Sequence, residues 1–317
     1  MKIVVLDGYT ENPGDLSWEG LGALGDLTIY DRTPPELVLG RIGDAEAVYT
    51  NKTVVDGETI RRSQRLRFVG VLATGYNIVD VEAARERGIV VTNIPSYGTR
   101  AVAQTAFALL LEVCHHAGAH SESVHKGAWT ACPDFSFRDY PLIELHGKTM
   151  GIVGMGRIGR ATAGIAIAMG MEVVAFDPQP DPGLETGAVH YADLEELFAR
   201  ADVISLHCPL TDDTRGIIRA ETIAKMKDGV IIINTARGQL VVEADLAQAL
   251  ADGKVGAAGL DVLAKEPPPA NDPLLSAPNC IITPHIAWAP REARDRLMQI
   301  AVDNLTSFIV GRPANVV

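Results

Sequence analysis

The sequence predicts an α/β protein built from two doubly wound parallel-sheet domains. Three observations carry this expectation. Short β-branched apolar runs recur from end to end, nearly continuous in apolar character, as strands buried on both faces are. Amphipathic segments separate the runs, which is the alternation of βαβ units. The runs fall into two series, and 317 residues at about 150 per domain make two domains.

In chain order, the first series is Ile3–Leu6, Leu27–Tyr30, Ala45–Tyr49, Phe68–Leu72 and Ile89–Val91, within roughly residues 1–98. Met1-Lys2-Ile3-Val4-Val5-Leu6-Asp7 has too short an apolar stretch for a signal peptide and reads as the first strand. A helical stretch from about Thr99 to Val124 follows, with Val102, Ala106, Leu109, Leu110 and Val113 at helical spacing. Trp129–His146, holding Pro133, Phe135, Tyr140 and Pro141, reads as irregular. A connection of that length is either functional or packed against a partner. The second series starts at Lys148: Met150–Val153, Val173–Phe176, Val203–Leu206, Val230–Ile233, Ala257–Leu260 and Ile281–Ile282. A last helix, about Arg291 to Ile309, closes the chain, and topology alone leaves open which domain it joins. Pro267-Pro268-Pro269 marks a fixed turn after Glu266.

Composition excludes several classes. At 47% hydrophobic and 21% charged, the chain is neither disordered nor fibrous. Lys plus Arg total 28 against 40 Asp plus Glu, a net charge of -12, which repels phosphate backbones and argues against nucleic acid as a partner. No uncharged apolar run reaches the ~18 residues of a membrane span, so no membrane partner is expected. Cys114, Cys132, Cys208 and Cys280 are scattered without a C-x-x-C pair, as expected for reduced thiols in a cytoplasmic protein. His116 and His120 share a helix face at metal-ligand spacing, but no Asp or Cys completes a set. An exposed or interface helix is the simpler reading, and no metal is expected.

Residues 150–159 read Met-Gly-Ile-Val-Gly-Met-Gly-Arg-Ile-Gly, and Gly154, Gly156 and Gly159 form G-x-G-x-x-G. A strand runs into the first glycine, and a helix of small residues, Ala161 to Met169, runs out of the last. Gly154 allows the turn, Gly156 lets a pyrophosphate approach, and Gly159 lets helix and strand pack. The helix N-terminus, with Arg157 and Ile158, offers N–H groups and positive partial charge to phosphates. The next strand ends at Asp177, placed to accept hydrogen bonds from the adenine-ribose hydroxyls. The context predicts a dinucleotide. A carboxylate at Asp177 repels a 2′-phosphate, so NADH is expected over NADPH, with Arg157 able to soften that preference.

Further strand ends carry polar groups: Asn234-Thr235-Ala236-Arg237-Gly238, then Asp261 with Glu266 five residues later, then Thr283-Pro284-His285. In open parallel sheets ligands bind outside the carboxyl ends of strands, so these groups can converge. Arginine holds a carboxylate in a planar fork. Histidine exchanges a proton near neutral pH, and a carboxylate beside it orients the ring and favours its charged form. That set suits proton-coupled hydride transfer on a 2-oxo or 2-hydroxy acid. Cys208, in the expected cofactor crevice, reads as a wall residue because no base is paired with it.

These motifs, with Ala73-Thr74-Gly75-Tyr76-Asn77-Ile78-Val79-Asp80, Ala101-Val102-Ala103-Gln104-Thr105 and His207-Cys208-Pro209-Leu210-Thr211, resemble the D-isomer-specific 2-hydroxyacid dehydrogenases over nearly the whole chain. The chain departs at Gln104, where many members carry an acidic residue. The resemblance implies a bilobed enzyme with a cleft between two Rossmann-like domains. Residues 1–98 plus 288–317 would form a flavodoxin-like substrate domain, and 99–287 the NAD-binding domain. It implies a catalytic set of Arg237, Glu266 and His285. Arg237 would bind the substrate carboxylate and 2-oxygen, His285 would donate the proton in reduction, and Glu266 would support the imidazolium. Ala73, Thr74 and Gly75 would offer backbone N–H groups to the carboxylate. Asp261 would hold the nicotinamide carboxamide, and Thr105, Cys208, Pro209, Thr214, Thr235, Ala236 and Ala287 would line the cofactor site.

Asp134-Phe135-Ser136-Phe137-Arg138-Asp139-Tyr140-Pro141-Leu142 and His285-Ile286-Ala287-Trp288-Ala289 look most like the glycerate dehydrogenase/hydroxypyruvate reductase branch. Hydroxypyruvate or glyoxylate reduction to D-glycerate or glycolate is therefore expected, another 2-hydroxy acid being the alternative. The Trp129–His146 stretch resembles the segment that family dimers use to embrace the partner, which implies a homodimer. A different class, an NADH-sensing corepressor-like protein of the same fold, keeps the same polar residues; the acidic charge and the match to metabolic members weigh against it.

Overall fold

The computed structural model describes residues 1–317 and divides them into two compact units, Met1–Gly98 with Trp288–Val317, and Thr99–Ala287.

The first unit holds a five-stranded sheet of β1 (Lys2–Val5), β2 (Asp26–Ile29), β3 (Ala47–Thr50), β4 (Phe68–Val71) and β5 (Val90–Thr92). Its order is β2-β1-β3-β4-β5 and all pairs are parallel. Parallel strands need crossovers, and Val38–Ile42, Gly57–Arg62 and Val81–Glu86 supply them as short helices. Asp56 and Asp80 cap the last two by accepting the Thr59 and Ala83 N–H groups. The central strands β3 and β4 are buried throughout, which is why their apolar runs do not alternate. The C-terminal helix Arg291–Ile309 joins this unit. It buries Ala293, Leu297, Ala301 and Leu305. Tyr49 Oη donates to the Ala301 carbonyl at 2.8 Å, and the Phe68 and Phe308 rings lie 5.2 Å apart. Contacts that strand counting cannot see thus settle the question topology left open.

The second unit holds seven parallel strands: β6 (Thr149–Val153), β7 (Glu172–Phe176), β8 (Val189–Tyr191), β9 (Val203–Leu206), β10 (Val230–Asn234), β11 (Val255–Leu260) and β12 (Cys280–Ile282). Their order is β12-β11-β10-β9-β6-β7-β8, so the winding reverses between β6 and β9. Successive residues face opposite sides, and both sides are covered. Val230 and Ile232 join one core with Leu197, Leu246 and Leu250. Ile231 and Ile233 join another with Phe107, Leu110 and Val113 of helix Thr99–His115 and Ala163 and Ala166 of helix Arg157–Ala168. Burying each such aliphatic side chain contributes about 1.5–3 kcal/mol.

Two elements differ from the sequence reading. β8 has no counterpart among the apolar runs: it is a three-residue edge strand, Val189-His190-Tyr191, with only Val189 buried. The expected single helix over 99–124 is broken at His116, which takes φ 47 between helices Thr99–His115 and Ala117–His125. The buried face ends at Cys114, and the second helix buries nothing, so nothing holds the two in line. Residues 132–148 form no helix or strand, and one helical turn, Ala128–Ala131, precedes them.

Candidate functional site

Strand register places the polar residues of the second unit along one edge. Phe176 pairs with Val153, Val153 with Leu206, Leu206 with Asn234, Asn234 with Leu260, and Leu260 with Ile282. The next residue of each strand is therefore Asp177, Gly154, His207, Thr235, Asp261 and Thr283, all at the carboxyl edge. The reversal point lies between Gly154 and His207, where open α/β sheets bind ligands.

Gly154 stands at φ 98, and a Cβ there would run into the Cys208 backbone, so glycine is required for the two loops to meet. Open space lies where a Gly156 side chain would stand, and Gly159 packs on the Gly154 carbonyl. Gly156 is the N-cap of helix Arg157–Ala168, whose first-turn N–H groups face out beside the exposed Arg157 and part-buried Ile158. Asp177 Oδ2 accepts the Met155 N–H at 2.8 Å and Oδ1 the Gln179 N–H at 2.9 Å. Each oxygen keeps a lone pair for another donor. The opposite wall is Cys208, whose thiol burial, aided by Asp177, pushes up to about 11, and Pro209, whose carbonyl accepts from Thr214 Oγ1 at 2.7 Å. Beside it burial pulls His207 down to about 4, so the ring is neutral. Thr105 is half-buried on its helix and bonds Ala101. Thr235 Oγ1 is buried with no partner in the chain, a costly state unless something else meets it. The open space at Gly156 and an orphaned hydroxyl on the same edge fit a dinucleotide.

Arg237 follows β10. Asn234 Nδ2 donates to the Arg237 carbonyl at 2.9 Å, and Asn234 Oδ1 accepts the Ala236 N–H at 3.0 Å, which fixes the turn and leaves the guanidinium exposed. A side chain on Gly238 would collide with the Leu263 backbone, so the Arg237 turn lies directly against the loop carrying Glu266. Gln239 Nε2 donates to the Ala264 carbonyl at 2.8 Å across the same seam.

Glu266 and His285 are in contact: Glu266 Oε2 lies 2.6 Å from His285 Nδ1, while Oε1 accepts the Leu263 N–H at 3.1 Å. His285 takes φ 53, a conformation that costs a non-glycine residue about 1 kcal/mol or more and persists only when its surroundings enforce it. Asp261 enforces it. Its carbonyl accepts the His285 N–H at 2.9 Å. Its side chain, 1% exposed, accepts Thr283 Oγ1 at 2.6 Å, the Ile286 N–H at 2.9 Å and the Ala287 N–H at 2.8 Å. Sequence reasoning missed this job; the visible signal was a carboxylate ending the strand beside one that leads into a proline turn.

In the first unit, the loop Ala73-Thr74-Gly75 has its carbonyls pinned. Asn51 Nδ2 donates to the Leu72 carbonyl at 2.9 Å, the Ile94 N–H to Ala73 at 3.0 Å, and Asn93 Nδ2 to Thr74 at 2.8 Å. No acceptor within the chain meets the N–H groups of Ala73, Thr74 and Gly75. No cluster of His, Cys, Asp or Glu is arranged to hold a metal, and no helix is long and apolar enough to cross a membrane.

The family model described as "D-isomer specific 2-hydroxyacid dehydrogenase, NAD binding domain" matches residues 107–287. Hydroxypyruvate reductase of Blautia hydrogenotrophica is 60% identical over 320 residues, covering 100% of this chain and 99% of that protein. Glycerate dehydrogenase of Methylorubrum extorquens is 42% identical over 291 residues, 91% of this chain and 90% of the other. Among solved structures, the TT0316 protein from Thermus thermophilus superimposes with a TM-score of 0.85 at 37% identity, covering 100% of both chains.

Proposed function

The chain belongs to the D-isomer-specific 2-hydroxyacid dehydrogenases, oxidoreductases with a nicotinamide-binding domain, and from that premise we propose that it reduces hydroxypyruvate to D-glycerate, and glyoxylate to glycolate, with NADH. The Glu266–His285 pair on the same strand edge as the glycine loop carries the reading. The 60% identical hydroxypyruvate reductase supports the choice of substrate.

When bound, the nicotinamide would supply the hydride. Arg237 grips the substrate carboxylate and 2-oxygen in its planar fork, and the N–H groups of Ala73, Thr74 and Gly75 hold the carboxylate. With Nδ1 committed to Glu266, His285 delivers its proton from Nε2 to the carbonyl oxygen as that oxygen gains charge, general acid help typically worth about 10²–10⁴ in rate. Glu266 offsets the positive charge of the ring. Gly154, Gly156, Arg157, Ile158 and Gly159 cradle the pyrophosphate. Thr105, Cys208, Pro209, Thr214, Thr235, Ala236 and Ala287 line the rest of the cofactor site. Asp261 has a lone pair left on Oδ2 for the carboxamide. Asp177 selects NADH by repelling a 2′-phosphate.

The same reading makes the protein a cytoplasmic homodimer. Four free cysteines support the compartment. Trp129, Phe135, Tyr140 and Leu142, all exposed, with Phe135 90% open, support a second copy over 129–142. Light scattering at micromolar protein should give twice the chain mass; a monomer removes that part. For the reaction, steady-state NADH oxidation is measured against a panel of 2-oxo acids. Fast turnover of hydroxypyruvate is expected. Tight NADH binding with no turnover on any 2-oxo acid defeats the enzyme reading.

A further inference from the structure

Asn51 directly follows β3 and is buried. Its amide nitrogen donates in two directions, to the Leu72 carbonyl in front and to the Glu11 carboxyl behind. In front, it is one of three donors that pin successive carbonyls, Leu72, Ala73 and Thr74, from the inner side. A peptide plane whose carbonyl is held inward turns its N–H outward, so these donors set where the N–H groups of the loop point. Behind, Glu11 is 0% exposed and its Oε2 has no partner within the chain. Burial first, and Asp7 second, push the Glu11 carboxyl up to about 8. The charged groups facing it are Asp7, Lys52 and Arg294. Asp7 is committed to the N–H groups of Asn51, Lys52 and Thr53 at 2.8, 2.6 and 2.7 Å. Arg294 is committed to Asp15 at 2.6 Å and to the Glu11 backbone carbonyl at 2.9 Å.

We propose that Asn51, backed by the fully buried Glu11 carboxyl, is a positioning residue that aims the Ala73–Gly75 N–H groups at the substrate carboxylate, and that a negative charge at Glu11 weakens substrate binding. The inference rests on the reading that this loop holds the carboxylate. Ionised, Glu11 places a negative charge next to Asp7 and behind an anion-binding loop. The added field repels the substrate, and relief of the buried charge shifts Asn51. Both effects act on binding rather than on proton delivery by His285, so KM rises while kcat is largely kept.

The test measures kcat and KM for hydroxypyruvate from pH 6 to 9.5, with thermal unfolding of each variant as the check on folding. Asn51→Ala should raise KM about tenfold or more, as loss of a buried donor does, with kcat within about threefold. Wild type should show KM rising above pH 8. Glu11→Gln cannot ionise and should flatten that rise. KM unchanged in Asn51→Ala with wild-type turnover intact overturns this inference alone, and so does a KM rise that survives in Glu11→Gln. If wild type turns over no 2-oxo acid, the functional reading falls and takes this inference with it. Should Asn51→Ala fail to fold, the Glu11→Gln profile decides.

Discussion

Glu266 Oε2 sits 2.6 Å from His285 Nδ1, and the other oxygen of the same carboxyl is tied to the Leu263 N–H, so the carboxylate is anchored to its own turn while it faces the ring. The pair is about one-third exposed on each side, which tempers but does not remove its electrostatic effect. Glu266→Gln keeps the shape of the side chain and loses the charge that faces the ring. kcat for hydroxypyruvate reduction should fall about tenfold or more while NADH affinity is unchanged. Wild-type kcat in the variant means Glu266 does not act on His285.

Arg237 presents an exposed guanidinium from a turn fixed by Asn234. A lysine keeps the charge and loses the planar fork. Arg237→Lys should cost kcat/KM for a 2-oxo acid about a hundredfold, mostly as higher KM, while NADH affinity is unchanged. Equal kinetics in the variant would move carboxylate binding to another residue.

Much of the fold was legible because buried parallel strands leave continuous apolar runs. Val203–Leu206 stands as read, and the other runs shift by one or two residues at an end. β8 was not legible: an edge strand half open to solvent needs no apolar run. Nor was the break at His116, which follows from where the buried face stops. At the site, the residues offering groups outward showed in the sequence as motifs at strand ends. Those that hold the motifs in place did not. Asp261 was read only as facing the cofactor, yet its side chain gathers the whole 283–287 turn. Asn51, Asn93 and Gly238 act through contacts between segments distant in sequence, which spacing does not record.

Asp261 makes the next prediction. Its two oxygens take three donors, and Asn offers one oxygen and an NH₂ that faces an N–H. Asp261→Asn should lower stability by about 2–3 kcal/mol, the cost of disrupting hydrogen bonds to a buried charge. It should also cut kcat more than it raises KM, because His285 loses its φ 53 turn. Thermal unfolding and steady-state kinetics together check it; a variant as stable and as fast as wild type contradicts the role given to Asp261.

Cys208 lines the cofactor wall with its thiol pushed up to about 11 by burial and by Asp177. At pH 7.5 its thiolate fraction is below about one in a thousand, and only the thiolate is nucleophilic. Iodoacetamide at that pH should leave Cys208 unmodified in peptide mapping, with labelling rising only as pH approaches 10 and above. Rapid alkylation at neutral pH contradicts a wall role.

The strongest test of the whole account is His285→Ala, assayed for hydroxypyruvate reduction and, in the same preparation, for NADH binding by fluorescence. Loss of the proton donor should lower kcat by at least about 10²-fold while NADH binds as tightly as to wild type. A variant that still turns over at near wild-type rate, or one that loses NADH binding while turnover survives, would place the acid elsewhere and contradict the central claim.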